Sequence, residues 1–257
     1  LKQWEKAINK KTKCIFFESP SNPTLEIVDI ASVARIAHKY NAKVIVDNVL
    51  ASSILQTPLH YGADITVYST TKHIDGHGRT LGGLLLSTQK FYEEKLKFFY
   101  RNTGPTMDAF TAWILLKSLE TYPLRMEQHC KNANRVAFFL EQHPKIQKII
   151  FPGHANHPQR TLIQKQMSGP GNMISFYIKG GKNKTFKFLK NLSIIKISNN
   201  LGDTRSLIIH PATTTHKKIT SKDKNFLGIN DNLVRLSIGL EDNEDIVDDL
   251  NSSLKKI

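Results

Sequence analysis

The sequence predicts an α/β protein in two parts, a mostly parallel sheet layered with helices followed by a smaller α+β unit. Three observations predict it. Short apolar runs at 14–17, 44–46 and 65–68 read as strands, too brief for helices. Between the first two, Ile30, Val33, Ala34 and Ala37 recur at helical spacing and stop near Asn41, the order of a βαβ unit. Continuous apolar strands separated by helices belong to buried parallel sheets, so 14–17 is expected to be buried and Cys14 to be an inert core thiol.

From about 108 to 140 the pattern is helical, interrupted at Pro123. Ala109, Ala112, Trp113, Leu115, Leu116 and Leu119 give one wide apolar face. The domain boundary is placed here, giving a large domain over 1–122 and a small one over 123–257. Beyond it, strands are expected at 148–151, 172–178, 194–198, 206–209 and 233–238. Helices are expected near 183–191 and from 243 onward.

Composition narrows the function. The formal charge is +14, yet lysine far outnumbers arginine and the basic residues are scattered without interleaved aromatics. Solvated lysine faces are the reading, not a nucleic-acid footprint. No apolar run approaches the roughly 20 residues that cross a bilayer, and no secretory leader is read. Cys14 and Cys130 form no CxxC pair. A reducing, cytoplasmic setting with no membrane partner is expected. His73 and His77 have helical metal-ligand spacing, but Gly76 and Gly78 argue against a helix there, and no metal site is expected.

In open parallel sheets, ligands bind beyond the carboxyl ends of the strands. Three polar groups fall at such ends: Glu18 to Pro23 after the first strand, Asp47 and Asn48 after the second, and Ser69, Thr71 and Lys72 after the third. Each has an ordinary explanation. Asp47 could cap a helix, Asn22 could hold a turn between two prolines, and Lys72 could be solvated. Together they fit one chemistry. A lysine forms a Schiff base when desolvation leaves its amine neutral often enough to attack. A carboxylate opposite keeps a pyridine nitrogen protonated, and hydroxyls beside the lysine hold a phosphate. Gly76, Gly78, Gly82 and Gly83 would let the chain turn tightly beside a bulky cofactor. That set of needs is pyridoxal phosphate (PLP).

The ordered motifs ESPSNP, VDN, STTK, HPATTTH and LVRLSIGLED, running from Glu18 to Asp242, resemble the PLP-dependent enzymes of Cys/Met metabolism. The resemblance implies the PLP-dependent transferase fold of type I. It implies Lys72 as the Schiff-base and proton-shuttling lysine, Asp47 as partner of the pyridinium nitrogen, and Ser69 and Thr71 as phosphate ligands. Asn22 would lie near the cofactor oxygen and the substrate carboxylate. Arg235 would clamp that carboxylate, its ordinary alternative being a surface arginine on an edge strand. Asn200 falls where relatives carry a serine contacting the same carboxylate.

Asp75-Gly76-His77-Gly78-Arg79, with Leu81-Gly82-Gly83 after it, is most similar to the O-succinylhomoserine sulfhydrylase branch. That branch performs γ-replacement on an activated homoserine ester with sulfide to give homocysteine, in methionine biosynthesis. The alternatives are a cystathionine γ-synthase, a cystathionine β- or γ-lyase, or a truncated and catalytically impaired fragment. The last arises because the chain opens on Leu1 and the matched motifs occupy the last two-thirds of the family's usual length, so the N-terminal third is expected to be missing. The resemblance also implies an amino-acid substrate and a homotetramer built as a dimer of dimers.

Overall fold

A computed structural model describes residues 1–257 and shows an α/β chain with two sheets. The first sheet has the order β1–β2–β3–β4, with β1 (Cys14–Glu18), β2 (Lys43–Asp47) and β3 (Ile65–Ser69) parallel. Strand β4 (Gly83–Ser87) closes it antiparallel to β3.

One face of this sheet is packed. Ile15, Phe17, Val44 and Val46 alternate toward the Ile30–His38 helix, which turns Ile30, Val33, Ala34 and Ala37 to meet them. Asp29 caps that helix, its Oδ1 accepting the Ser32 N–H at 2.9 Å. The opposite face is open, which corrects the expectation for the first strand: Cys14 is exposed and Phe16 is 61 % exposed. An apolar run has no faces of its own, and only the partner layer decides which side is dry. Strand β4 was not foreseen. Its Leu84, Leu85 and Leu86 are all substantially exposed.

The helical stretch resolves into Ala109–Leu119 and Tyr122–Gln142. Pro123 sits in the first turn of the second helix, where its missing N–H costs nothing. Only part of the expected apolar face of the first helix is covered. Leu115 is buried, whereas Phe110, Trp113 and Leu116 are more than half exposed. The 21-residue helix spans both halves: Tyr122 and Met126 pack with Leu55, Tyr68 and Ile74, while Ala133 to Leu140 enter the second core. We propose that the large domain ends where this helix begins.

The second sheet comprises β5 (Ile146–Ile150), β6 (Met173–Ile178), β7 (Lys196–Ile197), β8 (Leu207–Ile209) and β9 (Leu233–Ser237). Its order is β5–β6–β9–β8–β7, antiparallel except for β7 beside β8. The helices Tyr122–Gln142, Gly181–Lys190 and Asn243–Lys255 bury its face in a core of twenty residues. Each strand and helix expected beyond residue 140 is found within a few residues. Burying Phe176, Phe188 and Ile174 completely stabilises this half by about 1.5–3 kcal/mol per side chain.

Candidate active site

The parallel register sets Glu18 opposite Asp47, and Asp47 opposite Val67, two residues before Ser69. The ends of β1, β2 and β3 therefore share one edge of the sheet, as the sequence pattern requires. Strand β9 belongs to the other sheet, yet its Arg235 reaches the same edge.

Lys72 lies inside a single wide turn, Thr70–Ile74, at φ −91°, ψ −129°, outside helical geometry. Its Nζ donates to Asn200 Oδ1 at 2.6 Å. Burial, and then the positive charge of Arg235, hold the amine below the ordinary lysine range. Arg235 is 2 % exposed. Its Nη1 donates to Asn22 Oδ1 at 3.1 Å, and its Nη2 donates to the carbonyls of Asn199 and Asn200 at 3.3 and 3.0 Å. Burial lowers its pKa to about 10, opposed by the charge of Glu18. Its Nε is buried with no protein partner.

Four candidates are thus joined in one chain of hydrogen bonds, Lys72–Asn200–Arg235–Asn22. Asn200 contributes twice, its side chain to the lysine and its carbonyl to the arginine. Asp47 and Ser69 stand on the same sheet edge outside that chain. Asp47 Oδ1 accepts only the Val49 N–H at 3.0 Å, and burial raises its pKa. Thr71 Oγ1 accepts the Gly82 N–H at 3.1 Å, tying the lysine turn to the start of β4.

Sequence reasoning gave Glu18 no role. It is half-buried beside Asp47, and its Oε2 accepts the Asn22 N–H at 2.7 Å. Burial, the larger cause, and repulsion from Asp47 raise its pKa to about 7. The sequence signal was available: an acidic residue closing a strand immediately beside a second strand that also ends in an acid.

The glycines after Lys72 serve packing more than open space. At Gly76, φ is +71° and a Cβ would collide with the Arg125 guanidinium. That guanidinium donates to the carbonyls of His73, Ile74 and Ser118 and so holds the lysine turn from behind. His73 is buried between the Val49 carbonyl and Asn172 Oδ1, and burial lowers its pKa. His77 Nδ1 faces the Asp75 carbonyl. The two imidazoles are thus engaged in local contacts.

A cavity of about 460 Å³ is lined by Thr71, Lys72, Gly78, Arg79, Asn199 and Asn200, among others. A larger one of about 710 Å³ lies elsewhere, against Glu26, Phe151, His157 and Phe226, and holds none of the candidates. Convergent polar groups, not size, single out the smaller cavity.

These residues fit a PLP-like group. Lys72 offers an amine biased toward neutrality. Asp47 offers a half-buried carboxyl with one hydrogen bond and no cation, the environment a pyridinium N–H satisfies. The buried, unpaired Arg235 Nε is a spare donor.

Residues 1–255 match the family described as Cys/Met metabolism PLP-dependent enzyme. The chain is 43% identical to the O-succinylhomoserine sulfhydrylase of Mycobacterium tuberculosis over 99% of its own length and 64% of the relative's. It is 42% identical to the L-methionine gamma-lyase of Fusobacterium nucleatum over 100% of its own length and 66% of that relative's. The crystal structure of metB from Corynebacterium glutamicum superposes with a TM-score of 0.94 at 38% identity, covering 99% of this chain and 66% of that one. The chain therefore spans a little under two-thirds of the curated relatives it matches. A match over nearly every residue, with sheets superposing on a solved enzyme, leads to one conclusion: the chain belongs to the Cys/Met metabolism family of PLP-dependent enzymes.

Proposed function

We propose that the protein carrying this chain catalyses γ-replacement on an activated homoserine ester, O-succinylhomoserine or O-acetylhomoserine, with sulfide as nucleophile and homocysteine as product. The observation that carries the reading is the Lys72–Asn200–Arg235–Asn22 chain, which puts a proton-accepting amine and a carboxylate-binding guanidinium in one network. Pyridoxal phosphate, when bound, supplies an electron sink for charge developing at the substrate Cα.

The chain's residues do the rest. Arg235 grips the α-carboxylate in a fork whose direction Asn22 and the two backbone carbonyls fix. Ser69 and Thr71 would hold the cofactor phosphate, and Asp47 would pair with its ring nitrogen. The Nζ of Lys72, when neutral, would take the α-proton, deliver it to the bound cofactor and so be free to take a β-proton, and it would return protons once sulfide has replaced the ester carboxylate at Cγ. Asn200 accepts a hydrogen bond from that amine and keeps it beside Arg235. The reading also carries an amino-acid substrate, the family's homotetramer and a reducing cytoplasm.

The sulfhydrylase assignment draws on the Asp75–Arg79 turn. Asp75 is fully buried and accepts from the backbone N–H groups of Arg79 and Thr80. It also draws on the relatives at 42–43% identity. A γ-lyase is the second reading, favoured by the L-methionine gamma-lyases at 41–42%. Replacement and elimination share their early proton transfers, so only substrates separate them.

The test is chemical. Purified protein is incubated with PLP, reduced with borohydride and digested, and the peptide carrying Lys72 is expected to hold the label, lost in Lys72→Ala. Label spread over surface lysines, with none at Lys72, overturns the site. Feeding O-succinylhomoserine with sulfide, and separately L-methionine or cystathionine, then assigns the reaction.

A further inference from the structure

One half-buried titratable group at this edge has no part in the mechanism above. Glu18 ends β1, and its Oε2 accepts the backbone N–H of Asn22 at 2.7 Å. Asn22 in turn accepts from Arg235 Nη1 through its side chain. Register sets Glu18 opposite Asp47 on the adjacent parallel strand, and strands lie about 4.8 Å apart, so the two carboxyl groups leave the same face as close neighbours.

The charged groups facing Glu18 are Asp47 from β2 and Arg235 from β9. Lys72 after β3 and His216 also feel Arg235: burial first, and then the arginine's charge, lower the pKa of each. One guanidinium therefore acts on Glu18, Lys72 and His216 alike.

We propose that Glu18 is a positioning residue for the carboxylate-binding arginine. It fixes the loop that presents Asn22 to Arg235, and its charge state sets how much of the arginine's positive charge reaches an incoming carboxylate. The inference rests on the reading of Arg235 as the carboxylate clamp and deepens it.

The direction follows from the electrostatics. Burial and Asp47 raise the Glu18 carboxyl to about 7, while the Asn22 N–H and Arg235 pull it down. Below that pH Glu18 is neutral and Arg235 offers its full charge. Above it the carboxylate takes a share, so affinity for a carboxylate ligand falls as pH rises through 7. A fall of about fivefold between pH 6 and pH 8 is expected for a partly screened charge neighbour.

Two measurements test this. In protein labelled with ¹³C at glutamate carboxyls, one resonance, absent in Glu18→Gln, is expected to titrate near 7. Asp47→Asn should move that midpoint down, an independent arm should Glu18→Gln not fold. A midpoint at the ordinary glutamate value, or no movement in Asp47→Asn, overturns the proposal. In the second, L-norleucine, an amino acid with no leaving group, is bound to PLP-loaded protein from pH 6 to pH 8. Wild type should lose about fivefold more affinity across the range than Glu18→Gln, which stays near its acid-side value. Equal slopes in the two proteins overturn the proposal. Arg235→Lys reports on the underlying reading separately: unchanged norleucine affinity there removes the clamp itself, whatever Glu18 does.

Discussion

The two sheets of this chain are finished to different degrees. The second is enclosed: three helices cover its face, and Ile174, Phe176, Phe188, Val234 and Leu236 are wholly buried. The first is packed on one face only, with Phe16, Leu85, Phe110 and Trp113 in solvent. Parallel strands occur almost always with both faces covered. An apolar surface of this kind marks a place where polypeptide packs. The candidate residues divide along the same line, Asp47, Ser69 and Lys72 on the open half and Arg235 on the enclosed one. Arg235 on the enclosed half thus meets the lysine turn of the open half, and the hydrogen bond from Lys72 to Asn200 spans the two.

The largest effect that sharpens this contrast is in the enclosed core. Phe188→Ala should lower unfolding free energy by about 3–5 kcal/mol, measured by denaturant unfolding. The contact between halves comes next. Gly202 holds φ +69°, and a Cβ there would lie 2.7 Å from the backbone nitrogen of His73, beside Lys72. Gly202→Ala should cost more than about 1 kcal/mol and disturb borohydride labelling at Lys72. The smallest effect belongs to the open half, where Phe110→Ala should change stability by no more than about 0.5 kcal/mol. A loss from Phe110→Ala as large as that from Phe188→Ala would break the comparison, because the residue would then be buried in solution.

The sheet cores were legible because apolar runs end abruptly in polar residues, as Val46 gives way to Asp47 and Tyr68 to Ser69. Burial of individual residues was not. Cys14 and Phe16 have the same apolar character as Ile15 and Phe17, and only the position of the Ile30–His38 helix separates them. Strand β4 escaped because its three leucines follow directly on Gly82 and Gly83, which read as part of a tight turn. At the site, the convergence of strand ends follows from parallel topology and was readable from spacing. The Arg235–Asn22 contact joins residues 213 positions apart and was reachable only through family resemblance. The Lys72–Asn200 bond, across 128 positions, had no signal in the residues alone.

The pairing of β1 with β2 has an evolutionary consequence. Side chains along a strand alternate faces, so sliding β1 by one position would drive Phe17 into water and bury an acid against the helix layer. The greasy residues of this strand therefore act as a ruler for its polar tip. Insertions or deletions ahead of Glu18 within β1 can be inherited only two at a time, and descendants of this gene should keep that parity even where every individual apolar residue has been exchanged.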